Sequence, residues 1–263
     1  IFAPRESILS ADTAQQDPYQ SLASIYDYVM RHVDYDNWAA YIRDIFTRFE
    51  HTPQTLIDLA CGTGNVSMEL CALGLPVVAG ADASEAMLRV AREKAILGDR
   101  QIDFQQRDLR QLDQLGPFDA AVCMYDSFNY LLTLDDVRQA LDQVYSILHP
   151  GALFVFDVCT EQNSLRYFRD SRDREIGPGF SFARHSYYEA EEQLQMNHFT
   201  IRFEGQDEPL EEHHVQHIYP VADLLDLLES TPFDLLGAFD GFTFKRGTER
   251  SDRIHFALRR API

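Results

Sequence analysis

Residues 56–65 read Leu56-Ile57-Asp58-Leu59-Ala60-Cys61-Gly62-Thr63-Gly64-Asn65, a short apolar run that passes through a glycine turn toward a helix. Such a turn lets backbone come close to a ligand, and the free N–H groups of the following helix point at it. The run carries its own acid, Asp58, four residues before Gly62. A second acid, Asp82, closes the next apolar run twenty residues after Gly62, and Asp108 closes a third. Acids at three successive strand ends point to a nucleoside ligand along one edge of a sheet.

Outward from this stretch, strands are predicted at 55–60, 76–81, 102–106, 118–124 and 151–158, with helices at 64–73, 84–97 and 134–148 between them. That rhythm argues for parallel pairing, with crossover helices on both faces. Ser84 ahead of Met87, Leu88 and Ala91 supplies a helix cap and a buried stripe. His149-Pro150-Gly151 ends one helix and starts a strand. Toward the N-terminus, apolar and aromatic residues recur at helical spacing from Tyr19 to Phe49, so two helices are expected, broken near Val33–Asp36. Residues 1–18 read as a flexible polar arm. After Asp157 the pattern changes. Strand-like runs at 180–188, 194–204 and 210–219, separated by turns at Glu189–Glu192 and Gly205–Pro209, predict an antiparallel insertion. A helix near 220–229 and strands at 234–239 and 253–259 then return the chain to the main sheet.

The 263 residues, 45% of them hydrophobic, allow one sizeable core or one core plus a small appendage. No run of eighteen apolar residues occurs, so no membrane span is expected, and the first residues do not read as a secretory signal. Cys61, Cys71, Cys123 and Cys159 are scattered without metal-like spacing, which fits reduced thiols in a cytoplasm. The net charge of −19 argues against a nucleic-acid partner, because that binding rests on clustered Lys and Arg. Lys94 and Lys245 are the only lysines. An acidic surface adapted to high salt and an Arg-favouring genome both account for this.

Five motifs carry a family resemblance: Asp58-Leu-Ala-Cys-Gly62-Thr-Gly64, Val78-Ala-Gly-Ala-Asp82-Ala-Ser-Glu-Ala-Met87-Leu88, Gln106-Arg107-Asp108-Leu109, Phe118-Asp119 leading to Tyr125-Asp126-Ser127-Phe128-Asn129-Tyr130-Leu131, and Leu148-His149-Pro150-Gly151-Ala152. In this order the chain resembles the class I S-adenosylmethionine-dependent methyltransferases through nearly all of residues 19–263. It is most similar to the small-molecule branch that includes glycine N-methyltransferase and sugar-amine N-methyltransferases. The resemblance implies an α/β fold, a Rossmann-like seven-stranded mixed sheet of order 3-2-1-4-5-7-6 with helices on both faces and an inserted antiparallel β cap. Residues 19–160 and 219–263 would form the core, and 161–218 the cap over the acceptor site.

The same resemblance assigns cofactor contacts. The turn Ala60–Gly64, with Gly62 and Gly64, would pass under the methionine part, near Asp58, with alanine at 60 where many members have glycine. Asp82 would accept both ribose hydroxyls, with Ala83 following it. Asp108 would accept from the adenine amine, the Leu109 backbone N–H would meet a ring nitrogen, and Met87 would cover the ring. Tyr26, Tyr35 and Trp38 would border the methionine end, and Met124 and Tyr125 would also bind the cofactor. Bound S-adenosylmethionine would leave as S-adenosylhomocysteine. A nicotinamide dinucleotide is the rival reading, since Gly62-x-Gly64-x-x-Ser67 approaches that fingerprint. Asp58, Asp108 and the Tyr125–Tyr130 segment speak against it.

For the acceptor, the loop after the fourth strand is the first candidate, because it sits at the ligand edge of the sheet. Asp126 would hold an ammonium or take its proton, while Asn129 and Tyr130 orient the acceptor. The run Glu211–Pro220 is the second. On a strand, His213 and His217 share a face with Tyr219, and His214 shares the other with Gln216. It resembles the branch's His-x-Gln-Arg-x-Tyr segment through His214, Gln216 and Tyr219, with His217 standing in place of arginine. No metal site is expected, since His213 and His217 lack an evident third ligand. The function expected is methyl transfer to a small molecule, at nitrogen. A cofactor-binding module with weak turnover, or a protein or RNA methyltransferase, are the alternatives.

Overall fold

The computed structural model describes residues 19–261, so the expectation for residues 1–18 lies outside the described residues. The chain opens with α1 (Tyr26–Val29) and α2 (Tyr35–Arg48). It continues through β1 (Leu56–Leu59), α3 (Asn65–Ala72), β2 (Val77–Asp82), α4 (Glu85–Leu97), β3 (Asp103–Gln106) and β4 (Phe118–Cys123). A 3-10 turn (Ser127–Tyr130) leads to α5 (Leu134–Ser146) and β5 (Leu148–Cys159). Next come α6 (Glu161–Tyr167), β6 (Asp170–Gly177), β7 (Phe180–Glu189), β8 (Leu194–Phe203) and β9 (Leu210–His217). The chain ends in α7 (Val221–Glu229), β10 (Phe233–Asp240) and β11 (Arg253–Arg260).

Seven strands form the main sheet in the order β3-β2-β1-β4-β5-β11-β10, and β6 to β9 form a separate four-stranded sheet. Discounting the four inserted strands, this is the expected 3-2-1-4-5-7-6. Pairing from β3 to β5 is parallel; β11 runs antiparallel to both β5 and β10. All four residues of β1 are buried, as a central strand covered on both faces requires. Side chains alternate between two layers. Ile57 and Leu59 join Val137, Leu141, Leu224 and Leu228 of α5 and α7. Leu56 joins Ile42, Ile45, Val66 and Leu70 of α2 and α3. Each such side chain contributes roughly 1.5–3 kcal/mol when fully buried. The second sheet is tied to the N-terminal segment by a third cluster, in which Leu22, Ile25 and Val29 pack on Phe180, Phe182, Phe199 and Ile201.

Three local expectations need correction. The first helix is one turn long, and residues 20–25 approach it as successive turns. His149-Pro150-Gly151 lies within β5, because α5 ends at Ser146. Both α6 and β6 escape a reading by periodicity. Strand β6, Asp-Ser-Arg-Asp-Arg-Glu-Ile-Gly, is an edge strand with no fully buried position, so no alternation marks it.

Candidate active site

A crevice of about 1080 Å³ opens along the carboxyl ends of β1, β2 and β4 and continues beneath the second sheet. At its strand-tip end, the turn after β1 holds Ala60, Gly62 and Gly64 at φ +50°, +55° and +77°. A Cβ added at Gly62 would meet nothing within 4 Å, so the backbone there faces open crevice. Gly64 differs: its Cβ would come within 3.3 Å of Ala91 Cβ, so it serves helix packing and the start of α3 rather than the crevice.

Asp82, the last residue of β2, is fixed by backbone on both oxygens. The Gly62 amide donates to one and the Ser84 amide to the other, each at 2.8 Å. Burial raises its carboxyl above the usual range, against the pull of those two amides. Asp58 lies fully beneath the turn, where Ser67 Oγ donates to it at 2.5 Å and burial pushes it up to about 7. Asp108 is held by Arg110 through both oxygens, at 2.9 and 2.8 Å, which keeps its carboxyl below the usual range. Ala83, Leu109, Met87 and Met124 line the same walls.

The segment around α1 crosses the crevice and is anchored on both sides. Asp27 accepts from Thr63 Oγ1 at 2.6 Å and pairs with Lys94 Nζ at 2.7 Å, tying it to the strand-tip turn. At the other end, Glu212 of β9 accepts the Ser21 and Leu22 amides, each at 3.0 Å. His214 Nε2 stands 3.0 Å from the other Glu212 oxygen. Burial works against this carboxyl, yet His214 and the two amides outweigh it and hold it below the usual range. Tyr19 meets Tyr130 hydroxyl to hydroxyl at 2.5 Å and lays its ring 4.4 Å from that of His214. Tyr26 and Tyr35 line the crevice beneath the segment.

At the cap end, Tyr125 and Asp126 adopt left-handed backbone at φ +66° and +52°, a costly conformation for such residues. Asp157 of β5 holds them there, accepting the Tyr125 amide at 2.6 Å and the Asp126 amide at 3.0 Å. Arg253, opening β11, pairs with Asp157 and, at 2.7 Å, with Asp126; Gln216 Nε2 donates to the other Asp126 oxygen at 2.6 Å. Its guanidinium also lies 5.0 Å over Trp38 and 5.3 Å over Tyr125. Burial raises both carboxyls, against the pull of Arg253. Two buried acids thus share one cation.

The crevice thus brings together Tyr26, Tyr35, Asp58, Ala60, Gly62, Asp82, Ala83, Met87, Asp108, Leu109, Met124, Tyr125, Asp126, Tyr130 and His214. Three expected residues stand elsewhere. Asn129 is fully buried and braces the loop, donating to the carbonyls of His217 at 2.8 Å and Cys159 at 3.3 Å and accepting the Cys159 amide at 2.9 Å. Both amide hydrogens and one Oδ1 lone pair are spent on the chain, and the residue does not line the crevice, so it is not placed to orient an acceptor. Trp38 packs behind the wall, its ring 5.4 Å from Tyr125 and 5.0 Å from Phe242. Gly64 faces α4. Tyr219, matched by resemblance, donates its hydroxyl to the Leu131 carbonyl at 2.5 Å. Arg253, Asp157, Glu212 and Tyr19 were not singled out by the sequence. The isolated acid inside β5 and the place of Glu212 within the run Glu211–Pro220 offered signals for Asp157 and Glu212.

A family described as a methyltransferase domain matches residues 56–151. YqeM of Bacillus subtilis, named as a methyltransferase, is 32% identical over 247 residues, covering 92% of this chain and 97% of its own length. A glycine/sarcosine N-methyltransferase of Parasynechococcus marenigrum is 33% identical over 156 residues, 58% of this chain and 54% of its own. The crystal structure of an S-adenosylmethionine-dependent methyltransferase from Clostridium acetobutylicum superposes with a TM-score of 0.79, covering 92% of this chain and 99% of that one. At 23% identity that likeness is one of fold. With a relative aligned along nearly its whole length, and with these strand-tip acids on this sheet order, the chain belongs to the S-adenosylmethionine-dependent methyltransferases.

Proposed function

We propose that this chain methylates the nitrogen of a small-molecule amine, with residues 161–218 acting as a cap over the acceptor. The observation that carries the reading is the continuity of the crevice, which runs from Asp82 and Gly62 at the strand tips to Asp126, Tyr130 and His214 under the second sheet. The strand-tip end fits the cofactor: the open face at Gly62 leaves room for a chain, and Asp82 presents a carboxylate whose remaining lone pairs suit a ribose diol. In this reading Asp108, already oriented by Arg110, meets the adenine amine.

S-adenosylmethionine supplies a methyl group on a good sulfonium leaving group, so the protein's task is alignment, which can account for roughly 7–11 kcal/mol of barrier. In this reading Asp126, held by Arg253 and Gln216, attracts the amine, and Tyr130 with Tyr19 closes the opposite wall. The glycine/sarcosine relative supports an amine acceptor. The net charge of −19 weighs against an RNA acceptor. No helix of the described residues is long and apolar enough to cross a membrane. Four free thiols fit a cytoplasmic home.

Two measurements test it. Calorimetric titration with S-adenosylhomocysteine is expected to show one tight site, and labelled cofactor with a cell extract is expected to label a small amine. No cofactor binding would overturn the reading outright. Tight binding with no labelled small molecule would favour a module without turnover.

A further inference from the structure

The face of the second sheet that looks into the crevice is ordered in cross-strand rows. Tyr188, Gln195 and Gln216 stand opposite one another on β7, β8 and β9, and Ser186, Asn197 and His214 make the next row. Most of these groups already have partners. Ser186 Oγ donates to Asn197 Oδ1 at 2.6 Å, and Gln216 is spent on Asp126. Gln195 is different. Its Nε2 donates to the Tyr187 carbonyl at 3.0 Å, while its Oε1, in a residue 3% exposed, has no partner. Ser164 of α6, lining the same crevice as Gln195, is 1% exposed and its Oγ is equally unpartnered. Leaving buried oxygens unpaired is costly, and a ligand that pairs them recovers that cost.

Charge narrows the ligand further. Arg184 is paired with Asp173 at 2.7 Å, and Arg253 with Asp126 and Asp157. His217, where the resemblance expected arginine, has its Nδ1 2.9 Å from the Leu132 carbonyl oxygen. The cap end therefore holds no guanidinium without an acidic partner among the described residues lining it, which disfavours a carboxylate or a phosphate.

Resting on the methyltransferase reading above, we propose that Gln195 and Ser164 set acceptor specificity, accepting hydrogen bonds from a hydroxylated amine that carries no anionic group. The test uses protein saturated with S-adenosylhomocysteine, so failure of cofactor binding, which would sink the broader reading, is seen first and separately. Three probes are titrated: glucosamine, cyclohexylamine as its counterpart without hydroxyls, and sarcosine as the anionic amine. Glucosamine is expected to bind about tenfold or more tighter than the other two, because a site built to pair hydroxyls rejects analogues lacking them. Gln195→Met should remove about tenfold of glucosamine affinity and Ser164→Ala about threefold, with cyclohexylamine and cofactor affinities unchanged. Sarcosine binding as tightly as glucosamine, binding of none of the three, or equal weakening of glucosamine and cyclohexylamine in both variants overturns the proposal.

Discussion

The strand-tip end of the crevice is made largely of backbone, whereas the cap end is made of side chains that meet from distant parts of the chain. Asp82 is positioned by two amides within the turns that flank it, and the space beside it exists because Gly62 has no side chain. Asp126 is positioned by Asp157, Gln216 and Arg253, which lie 31, 90 and 127 residues further along. A backbone-built site is preserved by the turn itself. A side-chain-built site changes with any one partner, which suits the half of a transferase that must differ between substrates.

Breaking the cap-end network should have the largest effect. Arg253→Met leaves Asp126 and Asp157 buried without their cation, and urea unfolding should show a loss of about 3–5 kcal/mol. A loss below 1 kcal/mol would mean the acids are neutral in the folded chain. Next, Asp82→Ala strikes the strand-tip end by removing the proposed ribose contacts. Cofactor affinity by calorimetry should fall about 100-fold, while the cap end stays intact. Gly62→Ala sharpens the contrast, because its left-handed backbone strains any Cβ by about 1 kcal/mol and the new methyl intrudes on the crevice. Its cofactor affinity should fall by more than its stability does.

The smallest effect concerns pH. Asp58, raised to about 7 by burial, keeps its proton in the folded chain over a range where the unfolded chain has lost it. Its contribution to stability is therefore complete near pH 4 and is lost as pH rises through about 7. Stability measured from pH 4 to 8 should decline less steeply in Asp58→Asn than in the unchanged chain. Identical slopes would show that this acid is ionised throughout.

The same contrast explains what could be read from the sequence. The strand-helix alternation and the three strand-end acids were legible because each motif is short and its meaning local, an apolar run, a turn, an acid, while the sheet order came from the family resemblance those motifs carry. The cap end was not. Nothing near Arg253 in the sequence says that it faces Asp126, and Asn129 sits inside a promising loop yet is fully buried and spends both its amide hydrogens on the chain itself. Strand β6 was invisible for a simpler reason, since both its faces meet water and its residues show no alternation.

The clasp between the Ser21 and Leu22 amides and Glu212 spans about 190 residues of chain. During synthesis the segment that bridges the crevice is the first of the described parts to leave the ribosome, yet its acceptor is translated about 190 residues later. Until β7 and β8 emerge, Leu22, Ile25 and Val29 have no Phe180, Phe182, Phe199 or Ile201 to cover them, and the clasp itself waits for residue 212. Sealing of the crevice thus comes late in synthesis, and a nascent chain halted before β9 would hold its main parallel strands but not a closed chamber.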